Sequence, residues 1–134
     1  MITGRMRLAG LHPQVREAAE FALAWADQFG VPIEVTSGFR SWEEQARLRR
    51  NFEQCVASGR FGQGPDCRFP ANRPGDSAHN WGLAWDSSIA PELQPWWNAV
   101  RQAIGFAVPG NDQIHAEVPG WRDLVSRAPG RLAA

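Results

Sequence analysis

Lysine and tyrosine are missing from this chain of 134 residues, so every basic side chain is an arginine. We attribute that bias to a GC-rich coding genome rather than to chemistry. Charge of one sign is also missing: the formal net charge is +0, which excludes a global basic attraction to nucleic acid or to membrane surfaces. No apolar run approaches the length that spans a bilayer, so membrane insertion is not expected. The first residues, MITGRMRLAGLHP, carry arginines but no apolar segment long enough for a signal peptide. Cysteine is scarce. Cys55 and Cys67 are the two present. That is too few for a disulfide framework, and we favour unpaired thiols over a bond while leaving both open. Internal repeats and low-complexity segments are absent.

What remains is an ordinary globular composition. Hydrophobic residues make up 43% and charged residues 21%, enough to fold and of a length that suits a single domain over residues 1–134. Seven tryptophans in so short a chain could line a groove.

The organising stretch is Pro74 to Ser88, PGDSAHNWGLAWDSS. The chain before it opens with an extended lead-in over residues 1–10. A helix then starts at His12-Pro13, since proline suits the first helical position. Its apolar face holds Val15, Ala18, Ala19, Ala22, Trp25, Ala26 and Phe29, and Gly30 stops it. Val31 to Thr36 reads as a strand rich in β-branched residues. Ser41 and Glu44 form a capping box for a second helix running towards Val56. Residues 58–76 are rich in glycine and proline and read as a long surface loop, of a kind that is usually functional or mobile. Ala84 to Ile89 is a strand, Trp96 to Ile104 a helix, and Phe106 to Val108 a short strand. Gln113 to Val118 alternates, with Ile114, Ala116 and Val118 on one face and His115 and Glu117 on the other. PGWRDLVSR is a short last helix, with a frayed tail after Pro129. Without a βαβ rhythm, the pattern predicts an α+β fold with a small antiparallel sheet flanked by helices.

His79 and Asp86 have six residues between them within the organising stretch, and His115 lies downstream in DQIHAEV. Alone, that spacing carries little information. With Ser77 and Gly82 shaping the turn and a strand fixing the side on which Asp86 emerges, two imidazoles and a carboxylate can hold zinc with one position open. Glu117, on the same strand face as His115, is placed to accept the second ring N–H of a ligating histidine, or simply to face solvent. Asp112 is either a turn residue or a general base that takes a proton from the attacking water. Arg40, in SGFRS, is either a solvated loop arginine or a fork of donors for an oxyanion. Gln45 braces that loop. Trp81, Trp85 and Trp121 fit a core as well as a groove.

With these residues assembled, the sequence resembles the zinc D-Ala-D-Ala carboxypeptidase and L-alanyl-D-glutamate endopeptidase family. That family includes vancomycin-resistance D,D-peptidases and phage endolysins, and it shares its fold with the Hedgehog signalling domain. SGFRSWEEQ matches its G-[YF]-R-S-x-x-x-Q pattern, SAHNWGLAWD its S-x-H-x-x-G-x-A-x-D pattern, and DQIHAE its acid-x-x-H-x-E pattern; LHPQV is similar to the opening of small phage-type members. The resemblance implies Zn2+ on His79, Asp86 and His115, Asp112 as catalytic base where the family usually has glutamate, and Arg40 on the substrate carbonyl. Ser77 is taken as a further substrate contact. It implies a peptidoglycan stem peptide as substrate, a monomer, and synthesis in a host cytoplasm with later action in the periplasm or cell wall, or carriage on a virion. Two alternatives stand beside the endolysin: a D,D-carboxypeptidase of wall metabolism, and a non-catalytic wall-binding or virion protein.

Overall fold

In the computed structural model, which describes residues 1–127, four strands form one mixed sheet with helices around it. The strands are β1 (Ile2–Thr3), β2 (Ile33–Ser37), β3 (Ala84–Ser88) and β4 (His115–Glu117), in the spatial order β1-β2-β3-β4. The β2–β3 and β3–β4 pairs are antiparallel, as the sequence predicts, while β1 adds to β2 in parallel. The lead-in is therefore not merely extended. It contributes a two-residue edge strand and then a short 3-10 turn over Arg5–Leu8. Gly4 separates the two at φ 74°, and a Cβ there would meet the Val35 carbonyl oxygen at 2.1 Å, so only glycine fits.

Four helices follow the sequence pattern closely: α1 (Pro13–Gln28), α2 (Trp42–Ala57), α3 (Gln94–Ile104) and α4 (Trp121–Arg127). Pro13 opens α1, and the His12 imidazole accepts from the Gln14 amide. Ser41 Oγ accepts from the Glu44 amide to cap α2. Phe106 to Val108 pairs only through Ala107, bridged to Glu117. The tail expected to fray after Pro129 lies outside the described residues.

Alternation along β3 and β4 divides the sheet into two faces. Trp85, Ser87 and Ala116 turn to the core and are fully buried. The Trp97 indole N–H of α3 donates to Ser87 Oγ at 2.8 Å, and Trp85 meets Trp97 and Phe106 edge to face. From α1 the core takes Val15, Ala19, Ala22, Leu23 and Ala26. Trp25 and Phe29, expected in that core, instead stack on each other at 5.9 Å and stay exposed. Phe29 also meets Trp96 of α3 edge to face, so the two rings cover the flank where α1 packs on α3 rather than entering the core.

Cys55 and Cys67 form a disulfide across 12 residues of sequence, against the expectation of thiols. The physical reason is that Cys55 lies on the inner face of α2 and the following loop folds back along that helix. Three α2 side chains hold the loop carbonyls: Gln45 donates to Asn72 O at 2.8 Å, Arg49 to Ala71 O at 3.0 Å, and Asn51 to Asp66 O at 2.6 Å. The long glycine- and proline-rich segment is thus strapped to α2. Closing a loop of this size contributes about 3 kcal/mol by chain entropy. Replacing both cysteines with serine is therefore expected to lower Tm by about 10 °C. Superimposable thermal melts for the variant and the parent would rule that contribution out.

Candidate active site

Strand register builds the site. Asp86 on β3 is the direct cross-strand neighbour of His115 on β4, and such pairs bring side chains on one face into contact. Glu117, two residues on from His115, shares that face. His79 arrives separately, on a 3-10 turn over Ala78–Trp81 that Ser77 Oγ caps at the His79 amide and that Gly82 ends at φ 71°. At Gly82 a Cβ would meet the His12 amide at 2.8 Å, so the reversal that returns the chain to β3 needs a glycine. The loop after β2 grips His79 from both sides: its ring Nδ1 donates to Gly38 O at 2.8 Å, and its carbonyl accepts from the Arg40 amide at 3.0 Å.

The structure brings the three sequence-predicted ligands together. His79 Nε2 lies 3.4 Å from Asp86 Oδ2, and His115 Nδ1 lies 3.1 Å from Asp86 Oδ1. Among the described residues this is the group of ligand atoms arranged for a metal ion, all within 4.8 Å of one another. The outer hydrogen bonds decide how the rings present themselves. A carbonyl only accepts, so His79 carries its proton on Nδ1 and turns the Nε2 lone pair inward. Glu117 Oε1 sits 2.8 Å from His115 Nε2, so that nitrogen carries the proton and Nδ1 turns its lone pair inward. Two imidazole lone pairs and a carboxylate then converge, and among the described residues no arginine pairs with them. That donor set fits a divalent ion of zinc's preferences: nitrogen and oxygen ligands, each ring oriented by an outer acceptor.

Without an ion, a proton takes up the same attraction. Burial opposes protonation of His115, but the hydrogen bonds and charges of Asp86 and Glu117 outweigh it and raise its pKa. Burial likewise favours the neutral acid at Asp86, yet hydrogen bonds from His115 and His79, with their charges, hold the carboxyl well below the usual carboxylate range. Both shifts describe a pocket that attracts positive charge.

The cluster lies in a cleft of about 700 Å³, a size that suits a small-molecule or peptide ligand. Arg40, Asp112 and Ser77 also line it. Arg40 Nη1 donates to Gln45 Oε1 at 3.0 Å, so the buried Gln45 amide braces Arg40 on one end and the loop at Asn72 on the other. Asp112 is exposed, and its carbonyl accepts from the His115 amide at 3.1 Å. The turn this bond closes is the bend that puts an acid three residues upstream at the same cleft. Ser77 is buried, and its hydroxyl is engaged with the His79 amide. Trp121 lines the cleft, Trp85 is core, and the Trp81 indole N–H donates to Gly75 O.

Several contributors were not singled out from sequence. Asn80 is buried and links Arg40 O, Gln45 Oε1 and the Gly75 amide. Its place in the H-x6-D stretch was a visible signal. The strapped loop supplies Asp66 and Phe69 to one wall of the cleft, and Arg122, paired with Asp76, supplies another part of its rim. Nothing in a glycine- and proline-rich segment marks which face it will present. Among the described residues no helix is long and apolar enough to cross a membrane.

Residues 9–107 match the profile of the VanY family, described as D-alanyl-D-alanine carboxypeptidase. The peptidoglycan L-alanyl-D-glutamate endopeptidase CwlK of Bacillus subtilis (strain 168) is 35% identical over 79 residues, which are 59% of this chain and 42% of that protein. The chain thus matches less than half the length of this curated relative. Among solved structures, a mutant of the vancomycin-resistance D,D-pentapeptidase VanY in complex with Zn(II) aligns with a TM-score of 0.60 at 19% identity, over 91% of this chain and 80% of that one. The Serratia marcescens L-Ala D-Glu endopeptidase ChiX aligns with a TM-score of 0.52 at 20% identity, over 92% and 93% of the two chains. At these identities the structural likenesses establish the fold.

Proposed function

The chain belongs to the VanY D-alanyl-D-alanine carboxypeptidase family, and on that premise we propose that it is a zinc peptidase that hydrolyses an amide bond in peptidoglycan stem peptides. The observation that carries the reading is the convergence of the His79, Asp86 and His115 lone pairs in a cleft, with both ring tautomers set from outside by Gly38 and Glu117. These three residues would hold the ion. Zinc, when bound, supplies Lewis acidity that polarises the scissile carbonyl and acidifies water.

The remaining steps belong to the chain. Asp112 accepts the proton of the attacking water and delivers it to the leaving amine. Arg40, anchored by Gln45, donates to the carbonyl oxygen as negative charge develops there. Glu117 keeps the His115 ring in one orientation, and Ser77, whose oxygen accepts from the His79 amide in the cleft wall, turns its O–H to the substrate. We take the bond cut to be L-alanyl-D-glutamate, which the CwlK likeness supports, and the setting to be a phage or prophage endolysin, which the phage-type LHPQV opening supports. The family profile favours a second reading, a D,D-carboxypeptidase.

Purified sacculi test these readings together. The zinc-loaded protein is expected to release soluble fragments, EDTA to stop release, and added zinc to restore it. Fragment masses with a new N-terminal D-glutamate identify the endopeptidase, and free D-alanine the carboxypeptidase. Sacculi left intact under all three conditions, with neither peptide fragments nor free D-alanine released, would remove the peptidase reading.

A further inference from the structure

Gln94, Asn98 and Arg101 stand four and three residues apart on α3, so they share one side of the helix. All three reach the same short segment. Gln94 Nε2 donates to Asn98 Oδ1 at 2.8 Å and to Gln113 O at 3.2 Å, and Asn98 Nδ2 donates to Gln113 Oε1 at 2.8 Å. Arg101 makes the closest grip: Nη2 donates to Gln113 O at 2.7 Å and to Asn98 Oδ1 at 2.8 Å, Nη1 to Ile114 O at 3.2 Å, and Nε to Trp97 O at 3.3 Å.

Arg101 is fully buried, with its guanidinium 5.3 Å from the Trp97 ring centroid, and no carboxylate pairs with it among the described residues. Burying a cation without a carboxylate partner is destabilising compared with an apolar side chain of the same size. Burial accordingly pushes its pKa down to about 10, with the Asp86 charge partly opposing. Filling space does not account for an arginine here. What the guanidinium supplies is a rigid planar fork whose Nη1 and Nη2 hold two consecutive carbonyls in fixed directions, where a lysine would offer a point-like, freely rotating ammonium. Those carbonyls belong to Gln113 and Ile114, the only residues between Asp112 and His115. The Ile114 carbonyl also accepts from the Ser87 amide of β3 at 3.0 Å, which ties the fork to the strand that carries Asp86.

We propose that Arg101 is a positioning residue of the metal site, fixing two successive peptide planes so that His115 and Asp112 enter the cleft in working directions. This deepens the zinc-peptidase reading and rests on it. The fork acts through the backbone and touches neither metal nor substrate.

The test is zinc affinity, measured by competition with a chromophoric chelator, because it does not require turnover. Arg101→Lys keeps the charge and loses the fork. In a variant shown to be folded at the assay temperature, zinc Kd is expected to rise about 10–100-fold, the scale of lost outer support at metal sites. On a soluble stem pentapeptide kcat is expected to fall at least tenfold, with KM unchanged. A folded Arg101→Lys protein with parental zinc affinity and kcat overturns the proposal. Should that variant not fold, Asn98→Ala decides. It removes one partner of Arg101 and one of Gln113 from a half-buried site, and parental Kd and kcat in it also overturn the proposal. If the parent protein binds zinc but leaves peptide and sacculi intact, the peptidase reading fails while the comparison of zinc affinities still judges the role of Arg101.

Discussion

His115→Ala is expected to abolish stoichiometric zinc and reduce hydrolysis of sacculi to background. Removing the ring leaves one imidazole and one carboxylate, and it takes away the His115 Nδ1 contact with Asp86 Oδ1 while the backbone pairing of the two strands stays. Glu117, whose partner is His115 Nε2 at 2.8 Å, then faces the cleft as an uncompensated acid. Lewis acidity at the carbonyl is worth several kcal/mol in the transition state, so losing the ion removes about a thousandfold or more in rate. Stability offers an independent reading. With free zinc at a thousand times its Kd, binding stabilises the folded state by about 4 kcal/mol, which raises Tm by roughly 12 °C or more in a domain of this size. The parent melt should therefore drop on adding EDTA, and the variant melt should not respond to it. Metal analysis that still finds one zinc per chain in His115→Ala would take His115 out of the ligand set.

The grouping of His79, Asp86 and His115 was legible because their positions follow from local rules. His79 sits in a turn marked by Ser77 and Gly82, and Asp86 and His115 sit on strands whose alternation sets their face. The helices were legible for similar reasons, since Pro13 and Ser41 are local start signals. What escaped depends on contacts between distant segments. Arg101, in the last turn of α3, carries no local signal of its role until the turn before β4 is laid against it. Ile114 was assigned to an apolar strand face, yet it is exposed, because the strand begins only at His115 and the residues before it belong to the turn held by Arg101. The disulfide escaped because the loop between its halves has no periodicity to say where it folds. The β1 edge is two residues long, shorter than any pattern can register, and its place is fixed by the tight approach at Gly4 instead.

Asp112→Asn is expected to retain zinc and substrate binding while turnover falls by about 10²–10⁴-fold, the range of general-base catalysis. The other acids of the cleft frame the choice. Asp86 is committed between two imidazoles, Glu117 holds His115, and Asp76 is paired with Arg122. Asp112 is exposed on the turn whose carbonyl binds the His115 amide, so it moves with the ligand and reaches the same cleft. Asparagine preserves its size and its turn preference but cannot accept a proton. A fall in kcat with KM and zinc content unchanged would thus isolate proton transfer from folding and from metal binding. Asp112→Glu supplies the control, since it restores the longer arm usual in the family and is expected to keep measurable turnover. If Asp112→Asn lyses sacculi at the parental rate, the base lies elsewhere, and Asp66 on the strapped loop becomes the acid to replace next. If the parent and both variants alike bind zinc and peptide without cleaving, the aspartate marks a wall-binding protein built on a peptidase fold.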